Sequence, residues 1–139
     1  FFDQAIELET SATNKAEMCY KVGAIYLHLK KASKAREYAR KAISLNSKYG
    51  DPYILIAQCY ASAPDWHNDH VFNQCTFYAV IDKLQRAMAV DPTVKEEASK
   101  LISQYNKHLP ASEDIFMRGY SKGKSITIGG WINETTTVR

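Results

Sequence analysis

Two stretches of the chain repeat the same order of residue types at an interval of 34 positions. Each stretch places a large, an aliphatic, a small and an aromatic residue in the same order and spacing. The first set is Cys19, Val22, Gly23 and Tyr26, and the second is Tyr53, Ile56, Ala57 and Tyr60. A period of this length constrains the whole architecture, because each unit must bury its apolar side against the next. The chain is therefore predicted to stack helical units.

Other matching residues of successive units are separated by more than 34 positions. Ala42 matches Ala87, and Tyr60 matches Tyr105, and both pairs are 45 positions apart, which is 34 plus 11. A single insertion explains both intervals. It falls within residues 61–75, where the chain is rich in polar and helix-breaking residues.

The repeated pattern resembles the tetratricopeptide repeat, which reads W-x2-L-G-x2-Y, then A-x3-F, a further Ala and a final Pro. Gly23 and Tyr26 match this pattern outright, and Ala35 and Ala42 fill its two alanine positions. Pro92 ends the second unit as the pattern requires. The tryptophan of the pattern is missing from every first-helix position.

This resemblance implies an all-α, right-handed solenoid of helical hairpins, with about three repeats in residues 1–110 and an insert at 61–75. Tyr26, Tyr60 and Tyr105 are expected in equivalent buried positions. Helices are predicted at 1–9, 14–30, 33–46, 50–62, 70–90 and 94–108. The candidate N-caps of these helices are Asn14, Ser33 and Asp51.

Residues 111–139 have a different character and are predicted to form a short helix and a capping β-hairpin. β-branched residues surround Gly129-Gly130, which is typical of a hairpin turn. A repeat array needs an atypical end to shield its last apolar face. We therefore expect the hairpin, with Trp131, to fold over the helix that contains Leu101 and Tyr105.

The end of the chain also resembles a narrower group. A stretched second helix, the Leu109-Pro110 stop and the Gly-Gly-Trp-Ile hairpin are similar to the C-terminal modules of tetratricopeptide proteins from the envelope of Gram-negative bacteria. The resemblance implies a periplasmic or cell-envelope location, with the cytoplasm as the alternative. No apolar run approaches the ~18 residues that a membrane span needs.

Catalysis and nucleic-acid binding find no support in the residue patterns. The chain lacks a Gly-x-Ser-x-Gly elbow and a Gly-rich phosphate loop, so neither an enzyme nor a cofactor is expected. The net charge is +3. The densest basic stretch, Lys30 to Lys41, spreads around the exposed circumference of a helix instead of concentrating on one side, so no nucleic-acid partner is predicted.

Four residues around the insert have the chemistry of metal ligands. Cys59, His67, His70 and Cys75 follow the spacing C-x7-H-x2-H-x4-C, whereas structural zinc sites usually pair C-x2-4-C with H-x3-5-H. We favour two unrelated loop histidines and two unrelated thiols. A Cys59–Cys75 disulfide, which an envelope location would allow, ranks second, and zinc ranks third. Cys19 is expected to be buried and free.

The tetratricopeptide resemblance also implies a binding surface on the concave face. The clamp that grips a C-terminal carboxylate in this family is absent, because Tyr20 and Ala24 stand where its Lys and Asn are expected. The mixed groove that remains suits a peptide helix or an extended segment. Its predicted lining is Glu17, Tyr20, Ala24, Leu27, His28, Asp51, Ile54, Gln58 and Ala61.

The sequence thus predicts a protein-interaction scaffold or adaptor that binds a protein or peptide partner. One alternative is a purely structural C-terminal cap of a larger tetratricopeptide envelope protein. Another, less favoured, is a metal-binding module at the insert.

Overall fold

Helices dominate the computed structural model, which describes residues 2–139. The helices are α1 (Phe2–Leu8), α2 (Ala12–His28), α3 (Ala32–Leu45), α4 (Asp51–Ser62), α5 (His70–Gln74), α6 (Thr76–Val90), α7 (Lys95–Tyr105) and α8 (Ser112–Phe116). Short 3-10 turns occupy Pro92–Val94 and Asn106–His108. The strands β1 (Ser125–Ile128) and β2 (Glu134–Thr137) form an antiparallel hairpin. A mostly helical chain that ends in a β-hairpin is therefore confirmed, although the predicted helix at 70–90 is divided at Cys75.

The predicted N-caps are wrong by one to three residues. Helix α2 begins before Asn14, because the Ser11 side chain caps it by accepting a hydrogen bond from the Asn14 amide at 3.4 Å. Lys31 and Gly50 precede α3 and α4, and neither makes a side-chain capping bond. Asp51 is instead the first residue of α4, where its negative charge suits the positive end of the helix dipole.

The chain reverses sharply between α2 and α3. The Lys31 amide donates to the Tyr26 carbonyl and the Lys30 amide to the Leu27 carbonyl, each at 2.9 Å. Lys30 has a φ of 62°, in the left-handed region that this Schellman-type ending requires. The connection takes only three residues and returns α3 directly against α2.

Small residues set the close approach of the helices. A Cβ atom at Gly23 would lie 2.9 Å from Leu55 Cδ2 and 3.1 Å from the Ala35 carbonyl oxygen. Ala35 and Ala57 are themselves fully buried. Helix α2 packs on α3, α3 on α4, α4 on α6 and α6 on α7. The buried core forms two clusters, one between α2 and α3 that includes Cys19 and Tyr38, and a larger one that extends from α3 to the C-terminal hairpin.

The three repeat tyrosines differ in burial. Tyr60 is fully buried, whereas Tyr26 and Tyr105 are only half-buried, so the prediction is right for Tyr60 and partly right for the others. The physical reason is the hairpin, since Trp131 packs edge-to-face on the Tyr60 ring at 5.5 Å between centroids. Tyr26 stacks on Tyr38 at 5.4 Å without such a cover.

The tail does not lie where the sequence suggested. We expected the hairpin to cover Leu101 and Tyr105 in α7, but β2 packs against α6. The Thr136 hydroxyl donates to Asp82, and the Arg139 guanidinium donates to the Tyr78 carbonyl at 3.1 Å. The buried apolar residues of this region are Ile126, Ile128, Ile132 and Val138.

Helix α7 has a polar outer side of its own, which explains why the tail is not needed there. Its exposed residues include Lys95, Glu96, Ser99, Lys100 and Ser103. The apolar residues Leu101 and Ile102 are half-buried toward the core.

Candidate functional site

The predicted concave-face residues remain accessible with one exception. Ile54 is only 4% exposed and belongs to the core, so including it was wrong. The reason is that three consecutive residues of α4, Ile54 to Ile56, are all buried, which leaves this helix little free surface. Glu17 and His28 are exposed. The half-buried members are Tyr20, Ala24, Leu27, Asp51, Gln58 and Ala61.

A side chain from the middle of α2 contacts one from the connection between α3 and α4. The rings of Tyr20 and Tyr49 meet edge-to-face with their centroids 5.6 Å apart. Burial raises the pKa of both phenols, and the neighbouring carboxylate of Asp51 raises them further. Glu17, one turn before Tyr20, also raises the pKa of Tyr49. Both hydroxyl groups are therefore neutral near pH 7 and can donate hydrogen bonds.

Asp51 stands among other carboxylates. Burial raises the pKa of its carboxyl group, and the nearby charges of Glu97 and Asp91 raise it further. Both partners come from the other side of α4, since Glu97 lies in the first turn of α7 and Asp91 in the connection before it. Negative charges from three separate segments thus converge on the start of α4.

Asp91 holds this arrangement together. Its carboxylate accepts hydrogen bonds from the Thr93 hydroxyl at 2.6 Å, the Gly50 amide at 2.9 Å and the Thr93 amide at 3.0 Å, and these bonds lower its pKa. Residue 50 must be glycine, because a Cβ atom there would lie 2.7 Å from the Asp91 Cβ and from Val94 Cγ2. The contact fixes Asp51 beside the beginning of α7.

We call Glu17, Tyr20, Tyr49, Asp51 and Glu97 together the acidic tyrosine face. The ion pairs formed within residues 2–139 engage other carboxylates and leave the three of this face without a cation within 4 Å. Sequence reasoning missed Tyr49 and Glu97. Tyr49 lies between helices, outside the first-helix pattern. Glu97 lies in the first turn of α7, where an acidic residue is favourable for the helix dipole alone.

The insert does not form a metal site. No group of three or more His, Cys, Asp or Glu side chains in the described part of the chain is placed to hold a metal ion. The His67 Nδ1 atom accepts a hydrogen bond from the Asp69 amide at 2.9 Å, and its ring packs on Phe72 at 4.7 Å. His70 is exposed whereas Cys59 and Cys75 are buried, and the four candidate zinc ligands do not form such a group.

The Cys59–Cys75 disulfide is not formed in the structure. Cys19, Cys59 and Cys75 are all buried free thiols, as expected for Cys19. The Cys75 Sγ atom contacts the Val71 carbonyl oxygen at 3.3 Å in a weak hydrogen bond. Burial raises the pKa of Cys59 and of Cys75 to about 12, which keeps both thiols protonated.

The insert packs against the C-terminal residues of the chain. The turn of the hairpin lies on the Trp66 ring, so that a Cβ atom at Gly129 would approach Trp66 Cε3 to 2.9 Å. The Trp131 indole N–H donates to the Ala63 carbonyl at 3.1 Å. Arg118, which follows α8, forms an ion pair with Asp69.

A depression in the protein surface lies between α8 and the end of β2. It has a volume of about 440 Å³, and its lining is mainly apolar. Phe116 and Met117 on its rim are 71% and 82% exposed. Ile115 and Val138 form part of its wall.

None of the helices within residues 2–139 combines the length and the apolar content needed to cross a membrane. Comparison with known protein families found no family model that matches the chain. A search of curated proteins likewise found no match.

Proposed function

We propose that this protein is an interaction scaffold or adaptor that binds a protein partner through the acidic tyrosine face. One observation carries the proposal. The carboxylates of Glu17, Asp51 and Glu97, from three different helices, act on the pKa values of the contacting tyrosines Tyr20 and Tyr49, and none of the three belongs to an ion pair within residues 2–139.

Such an arrangement is costly for the free protein. Bringing like charges together and partly desolvating one of them disfavours the ionised state, as the raised pKa of Asp51 indicates. A partner that supplies complementary groups would remove this cost. Tyr20 and Tyr49 add large, stiff amphipathic surface, which is common at protein interfaces.

The sequence resemblance supports the same surface. Helices α2, α4 and α7 carry the first-helix positions of the repeat pattern, and in a tetratricopeptide solenoid the first helices line the concave groove. We propose the solenoid arrangement and the periplasmic or envelope location on this resemblance. The buried thiols with raised pKa values offer no thiolate nucleophile, which accords with a binding role.

Site-directed photocrosslinking in the native host tests the proposal. Gln58 lies two turns along α4 from Asp51 and is half-buried on the same side, so a photoreactive residue there should trap a discrete adduct. The control position is Arg40, which is exposed on α3. The same adduct at both positions, or none at Gln58, would count against the proposed function.

A further inference from the structure

We infer that the depression between α8 and β2 is the surface through which two copies of this chain associate. The inference goes beyond the proposed function, and none of the residues that line the depression belongs to the acidic tyrosine face. Its basis is an apolar surface that the protein does not cover and that carries one charge of each sign.

Two large apolar side chains stand in solvent beside the depression. Phe116 is 71% exposed and Met117 is 82% exposed, and they are neighbours at the end of α8. The depression of about 440 Å³ that they line has Ile115 and Val138 in its wall. Adjoining exposed apolar side chains are typical of protein-interaction surfaces, whereas isolated ones are common everywhere. The surface therefore combines projecting apolar groups with a hollow that can receive such groups.

The depression is anchored on both of its sides. On the side of α8, Arg118 forms an ion pair with Asp69 and donates a hydrogen bond to the Asp114 carbonyl at 2.6 Å. On the side of β2, Arg139 forms an ion pair with Asp82 in α6. Because both walls are held by other parts of the fold, the hollow is present in the single chain, and little has to be ordered when a second molecule binds.

Glu113 and Lys122 place one negative and one positive charge at this depression. Both side chains are exposed and line it, and neither takes part in an ion pair within residues 2–139. Other charged groups of the same residues also lack an ion pair, so the distinguishing feature is the presence of both signs beside exposed apolar groups. A strongly acidic or strongly basic partner would be repelled by one of the two charges.

A second copy of the chain fits this surface by symmetry. In a dimer with a twofold axis, every contact between two different residues occurs twice. Glu113 lies one helical turn before Met117, whose amide donates to the Glu113 carbonyl at 3.0 Å, so the charge and the apolar pair share one side of α8. Two such surfaces in antiparallel orientation bring Glu113 of each copy to Lys122 of the other, while Phe116 of each enters the opposite depression. The dimer thereby buries the apolar groups and forms two ion pairs.

Sedimentation velocity of the whole chain tests the association. A concentration series from about 1 µM to about 500 µM covers the range in which a small interface dissociates. We expect the mass to rise from that of one chain to that of two and no further, because a twofold contact closes on itself. A monomer at every concentration would leave the depression to a different protein or to an apolar small molecule. That result would overturn the inference, as would growth into larger assemblies.

Removing the apolar contact should weaken the dimer. Phe116→Ser should raise the dissociation constant by about tenfold or more, since a large apolar side chain is lost from the centre of the contact. At a concentration where the chain is monomeric, the unfolding midpoint should change by less than about 2 °C, because the side chain is exposed there. The control is Leu8→Ser, since Leu8 is 83% exposed on α1, outside the depression. Equal weakening by both variants would place the contact elsewhere and overturn the inference.

Exchanging the two charges tests the arrangement of the copies. Glu113→Lys or Lys122→Glu alone should weaken association by about tenfold or more, because each creates two contacts between like charges in the dimer. A chain that carries both exchanges should associate within about threefold of the unmodified protein. An equimolar mixture of the two single variants should form mixed dimers, because one variant is positive at both positions and the other is negative.

The control for the charge exchange is Glu96→Lys, at an exposed position of α7. It makes the same change in net charge as Glu113→Lys and should associate as the unmodified protein does. Failure of either the double variant or the mixture to recover association would overturn the inference.

Discussion

Arg36 and Trp131 are 95 residues apart in the sequence and in direct contact in the structure. The Arg36 guanidinium donates hydrogen bonds to the backbone carbonyls of Trp131 at 2.7 Å and of Ile132 at 2.8 Å. Its Cζ atom also lies 4.9 Å from the Trp131 ring. Helix α3 thereby fastens the C-terminal hairpin to the helical part of the chain.

Replacing Arg36 with lysine should loosen the hairpin. Lysine keeps the charge but cannot direct a planar fork of donors to two carbonyls and a ring at once. We expect the free energy of unfolding, measured by urea denaturation, to fall by about 1.5–3 kcal/mol. Arg40→Lys, at an exposed position of the same helix, should change it by less than about 0.5 kcal/mol. Similar values for both variants would contradict a fastening role for Arg36.

The contact between the hairpin turn and the insert predicts a coupled pair of substitutions. Gly129→Ala introduces a Cβ atom 2.9 Å from Trp66 Cε3 and should cost about 1–3 kcal/mol through overpacking. In a Trp66→Ala background the same change should cost clearly less, because the obstructing ring is gone. A double-mutant cycle by thermal or urea unfolding measures the coupling, and additive effects would show that the two residues act independently.

The ion pair between Asp69 and Arg118 predicts loss of stability in acid. Hydrogen bonding from Arg118, with a further bond from the Val71 amide, lowers the pKa of Asp69. A carboxyl group with a lowered pKa in the folded state stabilises the fold above its unfolded value of about 3.9. This contribution disappears as the pH falls through the lowered pKa.

Unfolding experiments on Asp69→Asn between pH 7 and pH 2 check this pH dependence. The variant should be less stable than the unmodified protein at pH 7, and the difference should shrink below about pH 4. A difference that stays constant with pH would mean that the charge of Asp69 is not what stabilises the fold.

The three buried cysteines predict thiols that react slowly in the native protein. With pKa values of about 12, Cys59 and Cys75 are ionised at pH 8 in only about one molecule in ten thousand. A coloured thiol reagent should therefore react slowly before denaturation and label three thiols per chain after it, without any reductant. Cys59→Ala should lower the final count to two. A count of one from oxidised, unmodified protein would show that two of the three cysteines form a disulfide and would contradict the three free thiols.

The sequence determined the local structure well. Apolar residues that recur at helical spacing predicted the long helices. Gly129-Gly130 among β-branched residues predicted the hairpin. These features depend on neighbours within a few turns, so periodicity and turn chemistry are sufficient to indicate them. The burial of Cys19 and Tyr60 followed from the same repeat pattern.

Only the tertiary structure decided which distant surfaces meet. Apolar periodicity shows that Ile126 and Ile128 need a cover, but it does not distinguish α6 from α7 as the surface that supplies it. That choice depends on contacts with Arg36 and Trp66, far away in the sequence. The acidic tyrosine face arose in the same way, because the bond from the Gly50 amide to the Asp91 carboxylate brings together carboxylates that no repeat pattern connects.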